Sequence, residues 1–367
     1  MSNRKLTVLG IVAVLMVVWA VFQSRISSRP KAEPDRPVYL IQGLEPADID
    51  SIVLRTTENV VTLKRRRGRF VVVDKDNYPA VASEINELIT SCLDIRTAEL
   101  YTSDKANHKD LGVTEEDARS VIKFFKPDSS LITGVVIGKT REQGRGTYVR
   151  LASSDKVYVT LEAPWIRNRA MDYIDQELIT INRDDIESVT VTSADGDYTL
   201  RKKEQGIILE NLPEGKKLKG SDYERVFDAL ANLRFDDVQK KTAVEEDLNF
   251  QRQFVCRLKD SSVYTIDIAQ KNDKTYVTCE AEFTDKTPVT KEKGVESEEE
   301  LKKKEAKLLA RDKAKEFSDK HQGWVYEIAE YKAENMIKEL SELVEDEEKP
   351  EQTEQQASDS DSARTEQ

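Results

Sequence analysis

The sequence has few of the residues from which most metal, redox and nucleophilic sites are built. Its 367 residues include two histidines, His108 and His321, and three cysteines, Cys92, Cys256 and Cys279. The cysteines show no C-x-x-C spacing, which argues against a zinc ribbon and a disulfide-rich scaffold. Carboxylates are so numerous that no pair can be singled out for acid–base chemistry. We therefore predict no catalytic residue, no metal and no cofactor, and a protein that is not an enzyme.

Positive charge is also scarce relative to negative charge. The chain carries 57 Lys and Arg against 69 Asp and Glu, for a net charge of −12. Nucleic-acid binding relies on clustered basic residues, so we expect no nucleic-acid partner. The strongest basic cluster is "KRRRGR" at 64–69, which could meet anionic lipid headgroups or an acidic partner. The simpler interpretation is a solvent-facing hairpin that turns at Gly68.

Long apolar runs are absent except at one place near the start of the chain. Residues 6–22 read "LTVLGIVAVLMVVWAVF", without a charge. As a helix this run spans about 26 Å, which is near the lower limit for crossing a bilayer. No small-residue cleavage site follows it, so we predict an uncleaved, single-pass membrane anchor at 6–23 after a short tail at 1–5. A cleaved signal peptide and a buried helix of a soluble protein are the alternatives.

The basic residues around this run do not settle its orientation. Arg4 and Lys5 favour a cytoplasmic start of the chain. Basic residues also follow the run, namely Arg25, Arg29, Lys31 and Arg36. The positive-inside rule therefore leaves both directions open.

Composition and internal similarity divide the remaining chain. Residues 24–44 are polar and proline-containing, as in a tether, and 346–367 are predicted to be a disordered acidic tail. Between them the chain repeats itself: "DIDSIVL" from Asp48 resembles "DIESVTV" from Asp185, and "DLGV" from Asp110 resembles "DLNF" from Asp247. We predict repeat unit 1 at 45–182 and repeat unit 2 at 183–345.

The same coarse structure is predicted for both units. Strand-like alternation opens each one, an amphipathic helix follows, and further strands and a closing helix complete it. The helices are predicted from apolar residues at helical spacing: Val81, Ile85, Leu88, Ile89 and Cys92; Tyr223, Val226, Phe227, Leu230 and Leu233; and Ala333, Met336, Ile337, Leu340 and Leu343. The predicted fold class is α+β, with each unit an antiparallel sheet on which helices pack.

The segment "GVVIGKT" at 134–140 superficially resembles a phosphate-binding loop. Gly134 and Gly138 are one residue too close for that motif, and the residues between them favour a strand. We predict a strand, preceded by an Asp-Ser-Ser hairpin turn at 128–130 that recurs at 260–262.

Four further expectations concern single elements. A charged insertion at 290–322 should form an exposed helix, and a docking arm built on Leu301, Leu308, Leu309 and Phe317 is its alternative. His108 and His321 should be functionally silent, the former in a polar loop. Trp165 and Trp324 should pack in or beside the core. Cys256 and Cys279 should lie on non-neighbouring strands and form no disulfide.

The order of these motifs resembles a known family. An N-terminal anchor is followed by two units that share strands, a helix, "DLGV" and "TYVR" (147–150) with "VYV" (157–159). Over roughly residues 49–344 this pattern is similar to the bacterial domain-of-unknown-function family DUF4340. The resemblance implies an inner-membrane anchor, a body outside the cytoplasm, and genes that often lie beside ABC transporters of the gliding-motility type. The charged insertion and acidic tail depart from the family pattern.

Two functions are therefore expected from the sequence. The first is a non-enzymatic accessory or scaffold protein with protein partners in a membrane complex, such as an ABC-type transporter. The second is an extracytoplasmic glycan- or small-ligand-binding or sensing module, with its cleft between the two units. No binding residue is assigned from the sequence.

Overall fold

The computed structural model describes residues 38–290 and 297–347. The predicted anchor at 6–23 and the acidic tail from 348 lie outside the described residues. Within the described ranges, no helix is long and apolar enough to cross a membrane. The chain divides into two compact units, which meet in sequence between Tyr173 and Ile174.

In its described residues, unit 1 contains a long antiparallel sheet and one α-helix, α1 (Ala82–Leu93). Its strands are β1 (Val38–Tyr39), β2 (Ser51–Arg55), β3 (Val60–Arg66), β4 (Arg69–Val72), β5 (Tyr78–Pro79), β6 (Arg96–Thr97), β7 (Glu99–Thr102), β8 (Ser120–Phe125), β9 (Leu131–Thr140), β10 (Thr147–Leu151) and β11 (Val157–Thr160). Nine of them form one sheet in the order β5-β4-β3-β2-β8-β9-β10-β11-β7, while β1 and β6 pair separately.

Unit 2 repeats this arrangement. Its strands are β12 (Glu177–Ile179), β13 (Ile186–Ser193), β14 (Gly196–Lys203), β15 (Gly206–Leu209), β16 (Lys216–Leu218), β17 (Leu233–Arg234), β18 (Asp237–Lys240), β19 (Arg252–Leu258), β20 (Ser262–Lys271), β21 (Lys274–Phe283), β22 (Trp324–Ile328) and β23 (Val344–Asp346). Eight form a sheet in the order β15-β14-β13-β19-β20-β21-β22-β18. Strand for strand, this is the order β4-β3-β2-β8-β9-β10-β11-β7 of unit 1.

The helices of unit 2 are more broken than the sequence pattern predicts. They are α2 (Asp222–Phe227), α3 (Lys241–Val244), α4 (Glu298–His321), α5 (Glu330–Ile337) and α6 (Leu340–Leu343). The helix expected over Tyr223–Leu233 ends at Phe227, where bonds between residues three apart tighten the chain, as from Ala229 N–H to the Val226 carbonyl. The last predicted helix is split, because the backbone of Lys338 and Glu339 is not helical, with ψ angles of 134° and 156°.

The α+β class with antiparallel sheets is confirmed, and α1 is the amphipathic helix expected in unit 1. Its buried residues are Ile85, Leu88, Ile89 and Cys92. Two expectations about the edges of the folded region were wrong. Leu40, Ile41 and Leu44 are buried, so the tether does not extend to residue 44. Residues Val344–Asp346 pair with β16, so the tail does not begin at 346.

The closing helix expected in unit 1 is also not found. Only a short 3-10 turn, Ala170–Tyr173, follows the last strand there. Its Tyr173 carbonyl accepts a bond from the N–H of Val81, which fixes the start of α1. In unit 2 the corresponding position is taken by α5, whose Ala333 and Met336 are buried.

The charged insertion forms α4 and is attached to the sheet along one face. Ala310 and Ala314 are buried, and the Ser318 hydroxyl donates to the Ala281 carbonyl at 2.7 Å. The Phe317 ring packs edge-on against Tyr264 at 5.1 Å. Phe317 therefore packs within unit 2. Of the residues considered for a docking arm, only the exposed leucines remain available.

Candidate functional site

The outermost strand of unit 1, β7, has an open edge. It pairs with β11 on one side, and no described strand pairs with its other side. Leu100 is 53% exposed and Tyr101 is 47% exposed, although side chains on adjacent strand residues point to opposite faces. An exposed apolar edge strand presents free backbone groups to any extended chain that approaches it. This edge is the first component of the candidate site.

A cleft of about 450 Å³ adjoins this edge. Its walls include Val38 from β1, Arg96 from β6, Leu100 from β7, Tyr158 from β11, and Leu161 and Glu162, which follow β11. Leu161 is 67% exposed. Tyr158 is the Cα partner of Leu100 across the ladder, so both side chains lie on one face of the sheet. The cleft therefore continues the apolar edge into a concave surface, which we call the edge cleft.

The charges of the edge cleft are mainly negative. Its lining contains Asp94, Glu99 and Glu162 against the single cation Arg96. Glu99 accepts a bond from Arg141 at 2.6 Å, and Arg96 lies over the Tyr39 ring. Across residues 38–290 and 297–347, neither Asp94 nor Glu162 has an ion-pair partner. A cationic side chain would complement them.

The outer face of β7 is held in place by an aromatic contact. The rings of Tyr101 and Tyr148 lie 4.8 Å apart, and the Arg141 guanidinium lies 5.8 Å from the Tyr101 ring centre. Partial burial, together with the Tyr101 hydroxyl, raises the pKa of Tyr148. Tyr148 therefore stays neutral, and its ring supports the Tyr101 side of β7.

The equivalent edge of unit 2 is different. There the outermost strand is β18, which reads Asp237-Val238-Gln239-Lys240, and its apolar residue Val238 is only 1% exposed. Charged residues on an edge strand discourage pairing with another chain. The two units therefore differ at the same position of the repeated sheet: the β18 edge is polar and the β7 edge is apolar.

The family motifs "DLGV" and "TYVR" meet in unit 1, where they hold a loop and not a ligand. Arg150 is 8% exposed, and its Nε donates to the Val113 carbonyl at 2.7 Å. Its Nη1 donates to the carbonyls of Leu151, Ala152 and Ser154 at 3.0, 3.3 and 3.4 Å. Burial lowers the pKa of Arg150, although a guanidinium remains charged. The guanidinium thus ties the "DLGV" loop to the turn after β10.

The "GVVIGKT" segment is strand β9, as predicted, and its glycines are explained by close contacts. A Cβ on Gly138 would lie 2.6 Å from the Leu111 carbonyl oxygen. The next residue, Lys139, donates its N–H to that same oxygen at 3.0 Å and its ammonium to the Asp110 carbonyl at 3.0 Å. The Gly-Lys pair therefore accommodates the "DLGV" loop. The two Asp-Ser-Ser segments are turns in which Asp128 and Asp260 accept backbone bonds from Ser130 and Ser262.

The structure does not bring the histidines and cysteines together. His108 is buried, contrary to the expectation of a polar loop, with its Nε2 2.9 Å from the Asp155 carbonyl oxygen. His321 is buried beside the Tyr326 hydroxyl at 2.7 Å, and burial lowers its pKa to about 4. The cysteines are free and buried, with Cys256 on β19 and Cys279 on β21, two non-neighbouring strands as expected. Burial raises the pKa of Cys92 and Cys256 to about 12, so neither is a thiolate. Within the described ranges no group of His, Cys, Asp and Glu could hold a metal ion.

Sequence reasoning did not single out the residues of the edge cleft. Leu100 and Leu161 lie in short segments with no helical or strand periodicity strong enough to mark an edge. Trp165, expected in or beside the core, is 84% exposed. The only available signal was the contrast between "ELYT" at 99–102 and "DVQK" at 237–240. It becomes visible once the two strands are known to be equivalent.

The fold and the site define a tandem α+β protein with an open apolar edge in its first unit. The family model described as a domain of unknown function (DUF4340) matches residues 71–252. This match supports the resemblance to the DUF4340 family that the motifs indicated. The match runs from β4 to the start of β19 and includes Arg150 and the "DLGV" loop. No curated protein matches the chain.

Proposed function

We propose that the protein is a non-enzymatic, membrane-anchored scaffold whose first unit binds an extended segment of a partner protein at the β7 edge. The observation that supports this proposal is the exposed apolar edge of β7, which differs from the polar edge of β18 in the repeated unit. Addition of a strand to a sheet edge supplies backbone hydrogen bonds, and neighbouring pockets for side chains supply specificity. The edge cleft is such a pocket.

The chemistry of the edge cleft restricts the partner segment. Val38, Leu100 and Leu161 suit an aliphatic or aromatic side chain, and the carboxylates of Asp94 and Glu162 suit a neighbouring Lys or Arg. The segment we propose is therefore a short strand with an apolar residue and adjacent basic residues. Its binding should weaken with salt, because part of the attraction is between exposed charges.

The apolar run at 6–22 and the family resemblance support a membrane location for this scaffold. We propose a single-pass anchor in the bacterial inner membrane with the two units outside the cytoplasm. We further propose that the partner is a component of an envelope complex, such as an ABC-type transporter. On this proposal the scaffold needs no chemistry of its own, only a fixed location and an exposed edge.

The test is co-purification of full-length protein from gently solubilised membranes, followed by mass spectrometry. Leu100→Lys places a cation on the edge strand, which blocks edge pairing and repels a basic segment. Val60→Lys is the matched control, because Val60 is an apolar residue of unit 1 with a similar exposure of 49%. We expect stoichiometric envelope proteins with the wild type and Val60→Lys, and their loss with Leu100→Lys.

Two outcomes would contradict the proposal. One is recovery of the protein alone from gentle detergent, and the other is unchanged recovery of partners with Leu100→Lys. Circular dichroism of the purified variants shows whether either substitution unfolds the chain.

A small-ligand or glycan-binding module is the second candidate. Its supporting observation is the volume of the edge cleft, which is within the range of ligand pockets. This candidate predicts that wild-type protein is recovered without partners and that Leu161→Lys, but not Val60→Lys, abolishes stabilisation by a bound envelope glycan in a thermal-shift screen.

A further inference from the structure

The tip of the β3–β4 hairpin of unit 1 carries three arginines that have no partner among the described residues. Arg66, Arg67 and Arg69 are all exposed at its tip. None of their guanidinium groups makes a hydrogen bond, an ion pair or a ring contact with a residue in 38–290 or 297–347. In a chain of net charge −12, an unneutralised cluster of this kind is unusual.

Two of these arginines face each other across the hairpin. Arg66 and Arg69 are Cα partners in the ladder, on either side of a tight turn at Arg67 and Gly68. Like charges directly opposite on neighbouring strands destabilise the pair. The hairpin keeps an unfavourable arrangement that a bound anion would relieve.

The equivalent hairpin of unit 2 lacks this arrangement. The ladder there pairs Lys203 with Gly206, and Glu204 occupies the turn position of Arg67. The two preceding cations are neutralised, Arg201 by Glu187 and Glu210, and Lys202 by Asp184. The exposed tip of unit 2 therefore has no net charge at the positions where unit 1 has three positive charges.

The residue preceding the tip keeps the hairpin in place. The Arg65 guanidinium donates to the carbonyls of Ile49 and Pro46 at 3.0 and 3.3 Å, and it lies 4.7 Å from the centre of the Phe70 ring. The tip arginines are thus held on a supported strand pair. Arginine binds phosphate oxygens in a bidentate way that lysine does not reproduce.

We propose that the Arg66–Arg67–Arg69 tip binds the phosphate groups of anionic lipids at the membrane surface. The choice of a lipid surface rests on the proposed anchor at 6–23, which would keep a bilayer near the first unit. Each basic residue near an anionic surface strengthens binding about fivefold, so three together contribute roughly 100-fold. The tip would thereby fix the orientation of unit 1 on the membrane.

The experiment uses full-length protein in lipid nanodiscs and measures amide hydrogen exchange. One set of discs contains only phosphatidylcholine, and the other contains equal parts of phosphatidylcholine and phosphatidylglycerol. We expect exchange at residues 64–70 to slow several-fold in the anionic discs only, and to recover in about 1 M salt, where charges are screened. Residues 201–206 provide the internal comparison and should not change.

Substitutions at the tip test whether its three arginines are the source of this protection. The triple variant Arg66→Gln, Arg67→Gln, Arg69→Gln should lose the protection, whereas Lys203→Gln and Leu100→Lys should retain it. Equal exchange at 64–70 in both kinds of disc would overturn the proposal. So would protection by free inorganic phosphate in neutral discs, which would indicate a soluble anion as the ligand. Failure of the anchor is distinguishable, because the chain would then not co-elute with the discs that contain only phosphatidylcholine.

Discussion

Replacing Arg150 with methionine should destabilise unit 1. The substitution keeps a long side chain but removes the donors to four backbone carbonyls, two of them at 3.0 Å or less. Charge-assisted bonds of this kind contribute about 1.5–3 kcal/mol each, and the lost pairing is partly offset because a charge is no longer buried. We expect a net loss of about 2–4 kcal/mol in the free energy of unfolding, or roughly 5–15 °C in the melting temperature.

The location of the effect can be measured as well as its size. Hydrogen exchange should accelerate in the "DLGV" loop around Val113 and in the turn from Leu151 to Ser154, while unit 2 keeps its protection. Arg150→Lys should recover only part of the loss, because one ammonium cannot reach every acceptor. The matched control is Thr278→Val, since Thr278 stands at the position of Arg150 in the second "TYV" strand and makes one long side-chain bond, of 3.4 Å.

If the free energy of unfolding of Arg150→Met lay within about 0.5 kcal/mol of the wild-type value, this account would be refuted, since that is the range of ordinary surface substitutions. Acceleration of exchange spread evenly over both units would also contradict it. In that case the guanidinium would not be the specific link between the "DLGV" loop and β10.

Three further predictions concern the packing and protonation of single residues. Gly138→Ala should lower the free energy of unfolding, measured with urea, by about 1–3 kcal/mol, because the added methyl group forces apart β9 and the "DLGV" loop. In unit 2 the equivalent residue, Ala269, is already an alanine. Cys92 and Cys256 should resist iodoacetamide at pH 8 in the native protein and react after denaturation, because burial raises their pKa to about 12. The pKa of His321 is lowered to about 4, so the unfolded chain binds the additional proton. The neutral His321 side chain stabilises the fold fully above pH ~6.5, and this contribution is lost as the pH falls toward 4. Between pH 7 and pH 4.5, the free energy of unfolding, measured with urea, should therefore fall by about 2–3 kcal/mol less in His321→Gln than in the wild type.

Local patterns predicted the repeated elements because both copies use the same period. Strand alternation, the Asp-Ser-Ser turns and the α1 pattern are short-range signals, and all appear in the structure. The helix expected over Ala333–Leu343 shows where such signals fail. There the Tyr198 hydroxyl donates to the Lys338 carbonyl at 2.9 Å, and Glu339 caps the next helix, so a contact distant in sequence ends the helical run.

The candidate site was harder to predict because it depends on which strand ends the sheet. Hydrophobicity alone does not distinguish Leu100, which is exposed, from Val238, which is buried at the equivalent strand. Histidine burial was missed for a similar reason. His108 and His321 lie in polar sequence, yet each finds a hydrogen-bond partner from another segment.

The small β1–β6 ladder gives the edge cleft a mechanical property. Val38 and Tyr39 pair with Thr97 and Arg96 through two residues only, and Val38 is also a wall of the cleft. A pulling force on the chain ahead of Val38 would load this short ladder before it reached the buried Leu40 and Ile41. Detachment of β1 would remove a wall of the cleft without unfolding the nine-stranded sheet. Tension along the chain and occupancy of the cleft would then be coupled, so a bound segment would strengthen the attachment that holds its own site.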